Sequence, residues 1–187
     1  MTPAIARTLG ITALLVLLQA LVLHFMGQPS ASATHSFMLW AGDVHGAENS
    51  QQLTDWYTFS HLIHGFLFYL ALSFIFPKMP VWKRFVLAVG IEAAWEIFEN
   101  TPMVINHYRQ QALAQGYVGD SVINSVSDTC AMMLGFLFAS RAPVWLTVTA
   151  ALGFELFTGY FVHDNLILNI IGFFWTPDFI ANWQNGS

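Results

Sequence analysis

The sequence predicts an all-α integral membrane helix bundle of about five transmembrane helices, closed by a short C-terminal interfacial or re-entrant helix. Three observations lead there. Charged residues make up only 9% of the 187 residues and apolar ones 56%, against roughly 25% charged in soluble domains, too little to cover a soluble surface. Aromatic residues reach 16% and sit mostly in long apolar runs, not in the alternating pattern of half-buried strands. Five of those runs approach the roughly 20 residues needed to cross about 30 Å of hydrocarbon.

The first span runs from about Thr8 to Met26 (8–26). The second runs from about Tyr57 to Phe76 (57–76) and is stopped by Pro77. The third, about Val81 to Asn100 (81–100), stops before Pro102, because the residue ahead of a proline disfavours helix. The fourth covers about Asp120 to Ser140 (120–140) and the fifth about Pro143 to Val162 (143–162). Between the first two, residues 27–56 are polar and rich in Gly, Ser and Ala, which predicts an exposed outer loop. Leu166 to Trp175 is apolar over only about ten residues, too short to cross, hence the interfacial or re-entrant helix. Pro177 and Asp178 then start a last short amphipathic turn carrying Phe179, Ile180 and Trp183. With no internal repeat or low-complexity tract, residues 1–187 read as a single transmembrane domain.

The first segment has a second reading. Arg7, the apolar run and Ala31-Ser32-Ala33 together resemble a signal peptide with an A-x-A cleavage site. The run is long for such a peptide and the site lies several polar residues beyond its end, so a retained anchor is expected. Orientation follows from the positive-inside rule. Arg7, Lys78, Lys83, Arg84 and Arg141 fall on one side and only Arg109 on the other. The expectation is a bacterial inner membrane protein with a cytoplasmic N-terminus and a periplasmic C-terminus.

Composition also excludes functions. Net charge is −5 and the six basic residues are scattered, so no phosphate-neutralising patch exists and nucleic acid is excluded as a partner. The partner is the lipid bilayer; no protein partner is indicated. A lone cysteine, Cys130, excludes disulfide frameworks and Cys-based zinc sites within one chain. P-loop, HExxH, GxSxG and dinucleotide fingerprints are absent.

With that topology, all eleven acidic residues and all seven histidines fall in the outer half of the membrane or beyond it. Ionisable groups inside spans are costly and face a partner or a water-filled cavity. Counting about 1.5 Å per residue from the outer surface puts His64, Glu92, Asp128 and Glu155 at one depth. His61, Glu96 and Asn124 form a layer about one turn nearer the surface. Each set is a helix-face stripe: His61 and His64; Glu92, Glu96 and Glu99; Asp120, Asn124 and Asp128. Gly90 with Ala94, and Gly135 with Ala139, are small-residue pairs that permit close helix packing.

Three readings of the cluster stand. Histidines with carboxylates suit a divalent metal such as zinc, manganese or iron, with His61, His64, Glu92, Glu96 and Asp128 as ligands. The catalytic candidates are His61, His64, Glu92, Glu96, Asp120 and Asp128, as metal ligands or acid–base groups. The second reading is an interhelical hydrogen-bond network in which Ser60, Ser125, Ser127 and Asn124 satisfy the acids. The third, a proton or ion path, lacks ionisable groups to continue it inward. Asp120 or Ser121 reads as the N-cap of span four, not as a hydrolase nucleophile. Tyr57, Trp56 and Tyr160 read as outer aromatic-belt residues, Trp82 and Trp145 as inner ones. His163-Asp164-Asn165 reads as a solvated helix end, and His24, His35 and His45 as loop residues.

Several motifs are long enough to carry a resemblance. They are Glu48-Asn49-Ser50-Gln51, Thr54-Asp55-Trp56-Tyr57-Thr58-Phe59-Ser60-His61, His64-Gly65-Phe66-Leu67-Phe68-Tyr69, Glu92-Ala93-Ala94-Trp95-Glu96, Glu99-Asn100-Thr101-Pro102, Gly119-Asp120-Ser121-Val122-Ile123-Asn124-Ser125-Val126-Ser127-Asp128 and Asp164-Asn165-Leu166. Together they resemble an uncharacterised family of multi-pass inner-membrane proteins of Gram-negative bacteria, catalogued as of unknown function. The likeness extends from about residue 44 to Trp183-Gln184, and is poor over the first span and the loop after it. It implies the membrane class and no activity. A weaker similarity, in helix order alone, is to small membrane proteins of the teicoplanin-resistance VanZ type, and no function is carried over from it.

Overall fold

A computed structural model describes residues 3–32, 37–110 and 116–185; Ala33 of the A-x-A sequence and His35 lie outside them. Among the described residues there are eight α-helices and no strand: α1 (Pro3–Phe25), α2 (Thr58–Ile75), α3 (Val81–Glu99), α4 (Pro102–Tyr108), α5 (Val122–Ala139), α6 (Val144–Val162), α7 (Leu166–Gly172) and α8 (Asp178–Gln184). Four of them, α1, α2, α5 and α6, are long and apolar enough to cross a membrane. Helix α3 has the same 19 residues as α6 and packs against α1, α2 and α5. Its composition sets it apart, because Lys83, Arg84, Glu92, Glu96 and Glu99 all lie on it.

Local chemistry sets the helix ends. Pro80 precedes α3, and Ser121 caps α5 by accepting from the Asn124 N–H at 3.2 Å, as an N-cap serine does. Pro102 does more than end the third helix: it stands in the first turn of α4, where a missing N–H costs nothing. That short helix is absent from the pattern of spans, being too brief to show a period.

The tightest contact joins α2 and α5. A Cβ on Gly65 would sit 2.2 Å from the Met132 carbonyl oxygen, and one on Gly135 would sit 2.1 Å from that of Leu62. Only hydrogen fits at either position, so the two backbones touch. Gly135 thus serves the close packing that its spacing from Ala139 predicts. Gly90 does not, since a Cβ there meets only a Leu15 methyl at 4.0 Å. The partner glycine, Gly65, escapes a small-residue search because Tyr69 stands four residues on. Toward the ends of α2 and α5 and the start of α3, Leu72, Ala88, Val89, Met132 and Phe136 form an apolar core with Leu15, Val16 and Phe85 packed against it.

In the described part of residues 27–56, the stretch before α2 is not the exposed loop that its composition predicts. Ser50, Gln51, Gln52 and Asp55 are buried, and the segment folds onto the start of α5. The N–H groups of Ser121, Val122 and Ile123 donate to the carbonyls of Ser50 (2.9 Å), Pro29 (2.8 Å) and Ser30 (3.2 Å). Asn124 Nδ2 donates to the Gln52 carbonyl at 2.9 Å. A helix begins with N–H groups that lack intrahelical partners, and this loop supplies them. Helix α1 is tied in below: Gln19 Nε2 donates to the Ser125 carbonyl at 3.0 Å and Thr129 Oγ1 donates to Gln19 Oε1 at 2.8 Å.

The crossing makes a contrast that mutation can read. Gly65→Ala and Gly135→Ala should each destabilise the detergent-purified protein by about 1–3 kcal/mol or more, the usual penalty of overpacking. Gly90→Ala should leave the thermal midpoint unchanged. Equal effects at all three positions would remove the crossing from its central place.

Candidate functional site

Helix α2 presents His61 and His64 on one face, their ring centroids 5.1 Å apart. Helix α3 answers with Glu92, fully buried, which both imidazoles reach. His61 Nδ1 lies 2.7 Å from Glu92 Oε1, and His64 Nδ1 lies 3.2 Å from each Glu92 oxygen. One turn along α3, Glu96 Oε1 stands 3.3 Å from the same His61 nitrogen. That oxygen is buried and, among the described residues, has no hydrogen-bond partner. From α5, Asp128 Oδ2 lies 3.9 Å from His61 Nε2. Two groups of donor atoms therefore fall within 4.8 Å: His61, His64 and Glu92, and His61, Glu96 and Glu99. Either could hold a metal ion.

Of the residues the sequence singles out, His61, His64, Glu92, Glu96 and Asp128 come together, but not in the two level layers that counting from span ends predicts. Thr58 Oγ1 donates to Asp128 Oδ1 at 3.1 Å across 70 residues, the same offset that separates Gly65 from Gly135. Helices α2 and α5 therefore run parallel in that register. Asp128 is level with Thr58, about two turns above Gly65, and His61 spans the difference. Counting fails here because the two helices do not begin at the same depth.

Other acids are taken up elsewhere. Asp120 stands apart from the histidines, accepting from Asn100 Nδ2 and from the Tyr117 hydroxyl, each at 2.9 Å. Asn124 joins the loop contact and Asp55, not the layer with His61 and Glu96 in which its position counts it. Glu155, expected among the cluster, instead accepts from the N–H groups of Leu166 and Ile167, both at 3.2 Å. It satisfies the start of α7, a place that favours a carboxylate. Asp55 accepts from the N–H groups of Ser50 (2.9 Å) and Tyr57 (2.8 Å). The serines assigned to the acids are replaced in that role by Thr58, Asn100 and tyrosines.

Asp164 corrects a further expectation. It is buried, not solvated, and accepts from the Tyr57 hydroxyl (3.1 Å), Asn169 Nδ2 (3.2 Å), Gln184 Nε2 (3.3 Å) and the Asn165 N–H (3.0 Å). This one carboxylate joins the start of α2 to α7 and α8. Burial pushes its carboxyl up to about 6, against the pull of the Asn165 N–H, Tyr57 and Asn169. Tyr57 is thereby a site residue and no mere belt aromatic; its place at a span end hides the partner 107 residues away.

These side chains surround a cavity of about 1110 Å³. His61, His64, Asp128, Asp120 and Asp164 reach its wall, together with Glu99, Tyr57, Trp95, His107, Tyr108, Tyr117 and Phe173. Tyr108 and Tyr117 carry no period and sit in a connection, so the sequence offers only one signal for them, Tyr117 three residues before Asp120.

The comparisons with known proteins agree with this architecture and add no activity. A family model described as a protein of unknown function (DUF2585) matches residues 23–186, so the likeness begins within α1 and includes the loop that the motifs alone leave out. A UPF0314 protein of Sphingopyxis alaskensis is 47% identical over 176 residues, covering 94% of each chain. Another, from Agrobacterium fabrum, is 49% identical over 179 residues, covering 96% of this chain and 90% of its own. A third, from Rhizobium meliloti, is 50% identical over 169 residues, covering 90% and 86%. The chain belongs to this family. No solved structure matches it.

The Asp164 junction has a pH signature. The folded protein holds the Asp164 proton up to about 6, while the unfolded chain releases it near the ordinary 3.8. Where the folded state binds more protons, stability falls as pH rises. The protonated form's contribution is present below about 4 and is lost as pH rises to above 6. Thermal midpoints across that window should show the loss in the wild type, beyond that of Asp164→Asn; identical slopes would contradict it.

Proposed function

Proceeding from membership of a family of unknown function, we propose that this chain is a five-span protein of the bacterial inner membrane whose outward-opening cavity is a divalent-metal centre acting on a lipid-linked or envelope substrate. The N-terminus is cytoplasmic and the C-terminus periplasmic in this reading, supported by the five basic residues on one side. Helix α3 is the fifth span: it packs against α1, α2 and α5 and keeps Glu92 and Glu96 away from lipid, buried inside the bundle. Retention of α1 is supported by Gln19, whose buried amide is hydrogen-bonded to Ser125 and Thr129 of α5.

The observation that carries the metal is the grouping of His61, His64 and Glu92 with an orphaned carboxylate oxygen beside it. Donor atoms on one cation at about 2.0–2.2 Å lie about 3–3.5 Å apart, and the contacts here span 2.7 to 3.3 Å. Among the described residues Glu96 Oε1 has no hydrogen-bond partner, only His61 Nδ1 at 3.3 Å; such burial is costly, and a cation would satisfy it. Two imidazoles and one carboxylate also form the donor set of catalytic zinc sites that keep a position open for water. A bound divalent cation would acidify that water and polarise a substrate oxygen. Asp128 faces His61 from the other side and is placed to exchange a proton.

A non-catalytic hydrogen-bond network is the reading favoured for a different subset. Asp55, Asp120, Glu155 and Asp164 are each met by backbone or side-chain donors, which is how structural acids are satisfied. The acids thus divide between scaffold and centre.

Elemental analysis of the purified protein, beside a His61→Ala/Glu92→Gln variant and a His64→Ala variant, tests the centre. Near-stoichiometric zinc, manganese or iron is expected in the wild type. At least a tenfold loss is expected in the variants, with an unchanged monodisperse elution profile. A wild-type protein that neither carries a metal nor takes one up on reconstitution with each of these ions would refute it.

A further inference from the structure

The cavity wall has an unusual charge balance. Among the described residues, no lysine or arginine lines it, whereas Glu99, Asp120, Asp128 and Asp164 do. An anionic head group would meet these four acids with imidazoles, and no lysine or arginine, among the described lining side chains, close to the like-charge arrangement that excludes partners. At one end, the Tyr108 hydroxyl donates to Glu99 Oε1 and the Tyr117 hydroxyl to Asp120 Oδ1, both at 2.9 Å. The two phenol rings meet edge to face with centroids 5.6 Å apart, and Phe173 lies 5.4 Å from Tyr108. Aromatic faces backed by carboxylates are the arrangement that recognises alkylammonium groups.

The same cavity opens sideways. Ile91 and Phe98 on α3, Met103 on α4, Ile170 on α7 and Phe174 just beyond it line the cavity, yet all five are also exposed on the outside of the bundle. Side chains that do both mark where the wall of this partly open cavity is thinnest. The seam between α3 and α7 is therefore an apolar portal, at the level where α3 ends and lipid would surround it. An alkyl chain lying there stays in hydrocarbon while its head reaches the acidic end.

We propose that the cavity takes a single-chain amphiphile with an ammonium head, the head seated among Tyr108, Tyr117, Glu99 and Asp120 and the chain leaving through the α3–α7 seam. This rests on the cavity being the substrate site but does not require a bound metal. The head could be that of a free amphiphilic amine or of a zwitterionic lipid, which share the ammonium chemistry.

The test uses the full chain in dodecyl maltoside, with decyltrimethylammonium, decyl sulfate and decyl maltoside as probes below their micelle-forming concentrations. Saturable binding of the ammonium probe, at least tenfold tighter than of the other two, is expected. Asp120→Asn and Tyr117→Leu should each weaken it at least tenfold with metal content unchanged. The head-group comparison needs only the unaltered protein, so a variant that fails to fold does not blunt it. Decylphosphocholine binding as tightly as the ammonium probe would assign the head to a zwitterionic lipid, and weaker binding to a free amine. Equal binding of all three heads, or non-saturable uptake, overturns the proposal whatever the metal content. Saturable ammonium binding in a protein that takes up no metal overturns the metal reading alone.

Discussion

The contact of α2 with α5 at Gly65 and Gly135 fixes the rest of the molecule. Inside a bilayer, helices gain nothing from hiding apolar surface, and association depends on close packing and on interhelical polar contacts. Backbone carbonyls standing 2.1 and 2.2 Å from where Cβ atoms would be leave no freedom to slide. The register so imposed repeats upward to Thr58 and Asp128. His61 lies between the two pinned levels, and its ring is thereby held facing α3 on one side and Asp128 on the other.

Below this crossing the bundle is apolar, around Met132 and Phe136; above it, each polar group needs a partner. Desolvation makes an unmet donor or acceptor expensive, and the fold meets most of them with pieces of chain brought from far away. The loop before α2 supplies carbonyls to α5, Glu155 supplies a carboxylate to α7, and Asp164 gathers donors from α2, α7 and α8. What these arrangements leave over is instructive. Among the described residues, Glu92 is met by the imidazoles of His61 and His64, and Glu96 Oε1 has no hydrogen-bond partner, only His61 Nδ1 at 3.3 Å. Among the described residues, Glu96 Oε1 is the one buried carboxylate oxygen so left over.

That leftover charge joins the site to the surface. The cavity leads from the His–Glu group to the aromatic end at Tyr108 and Tyr117, and from there to the seam beside α7. Helices α4 and α7, seven residues each, are too short to have stable positions by themselves. They are held by contacts to each other and to the bundle: His107 stacks on Phe173 at the end of α7 at 5.1 Å, Trp95 of α3 meets the same ring at 6.0 Å, and Glu155 meets the start of α7. The outer wall of the cavity is thus built from its least autonomous elements.

Much of this was legible in the sequence because it depends on neighbours along the chain. Apolar runs of sufficient length, prolines at their ends, a serine at the start of α5 and acids spaced by whole turns each report a local rule. They gave the membrane class, the long helices to within a few residues at all but the first helix's start, and the faces bearing His61, His64, Glu92, Glu96 and Asp128. The relative depth of two helices is not local. It is set by which backbones can touch, and so only the folded bundle paired Asp128 with Thr58, withdrew Glu155 and Asp120 from the cluster, and brought Glu99 toward it. Burial of Asp164 and the ordered path of residues 37–56 were likewise tertiary decisions, because their partners lie up to 107 residues away. Composition marks such residues as polar and therefore exposed; only a partner of matching donors can bury them.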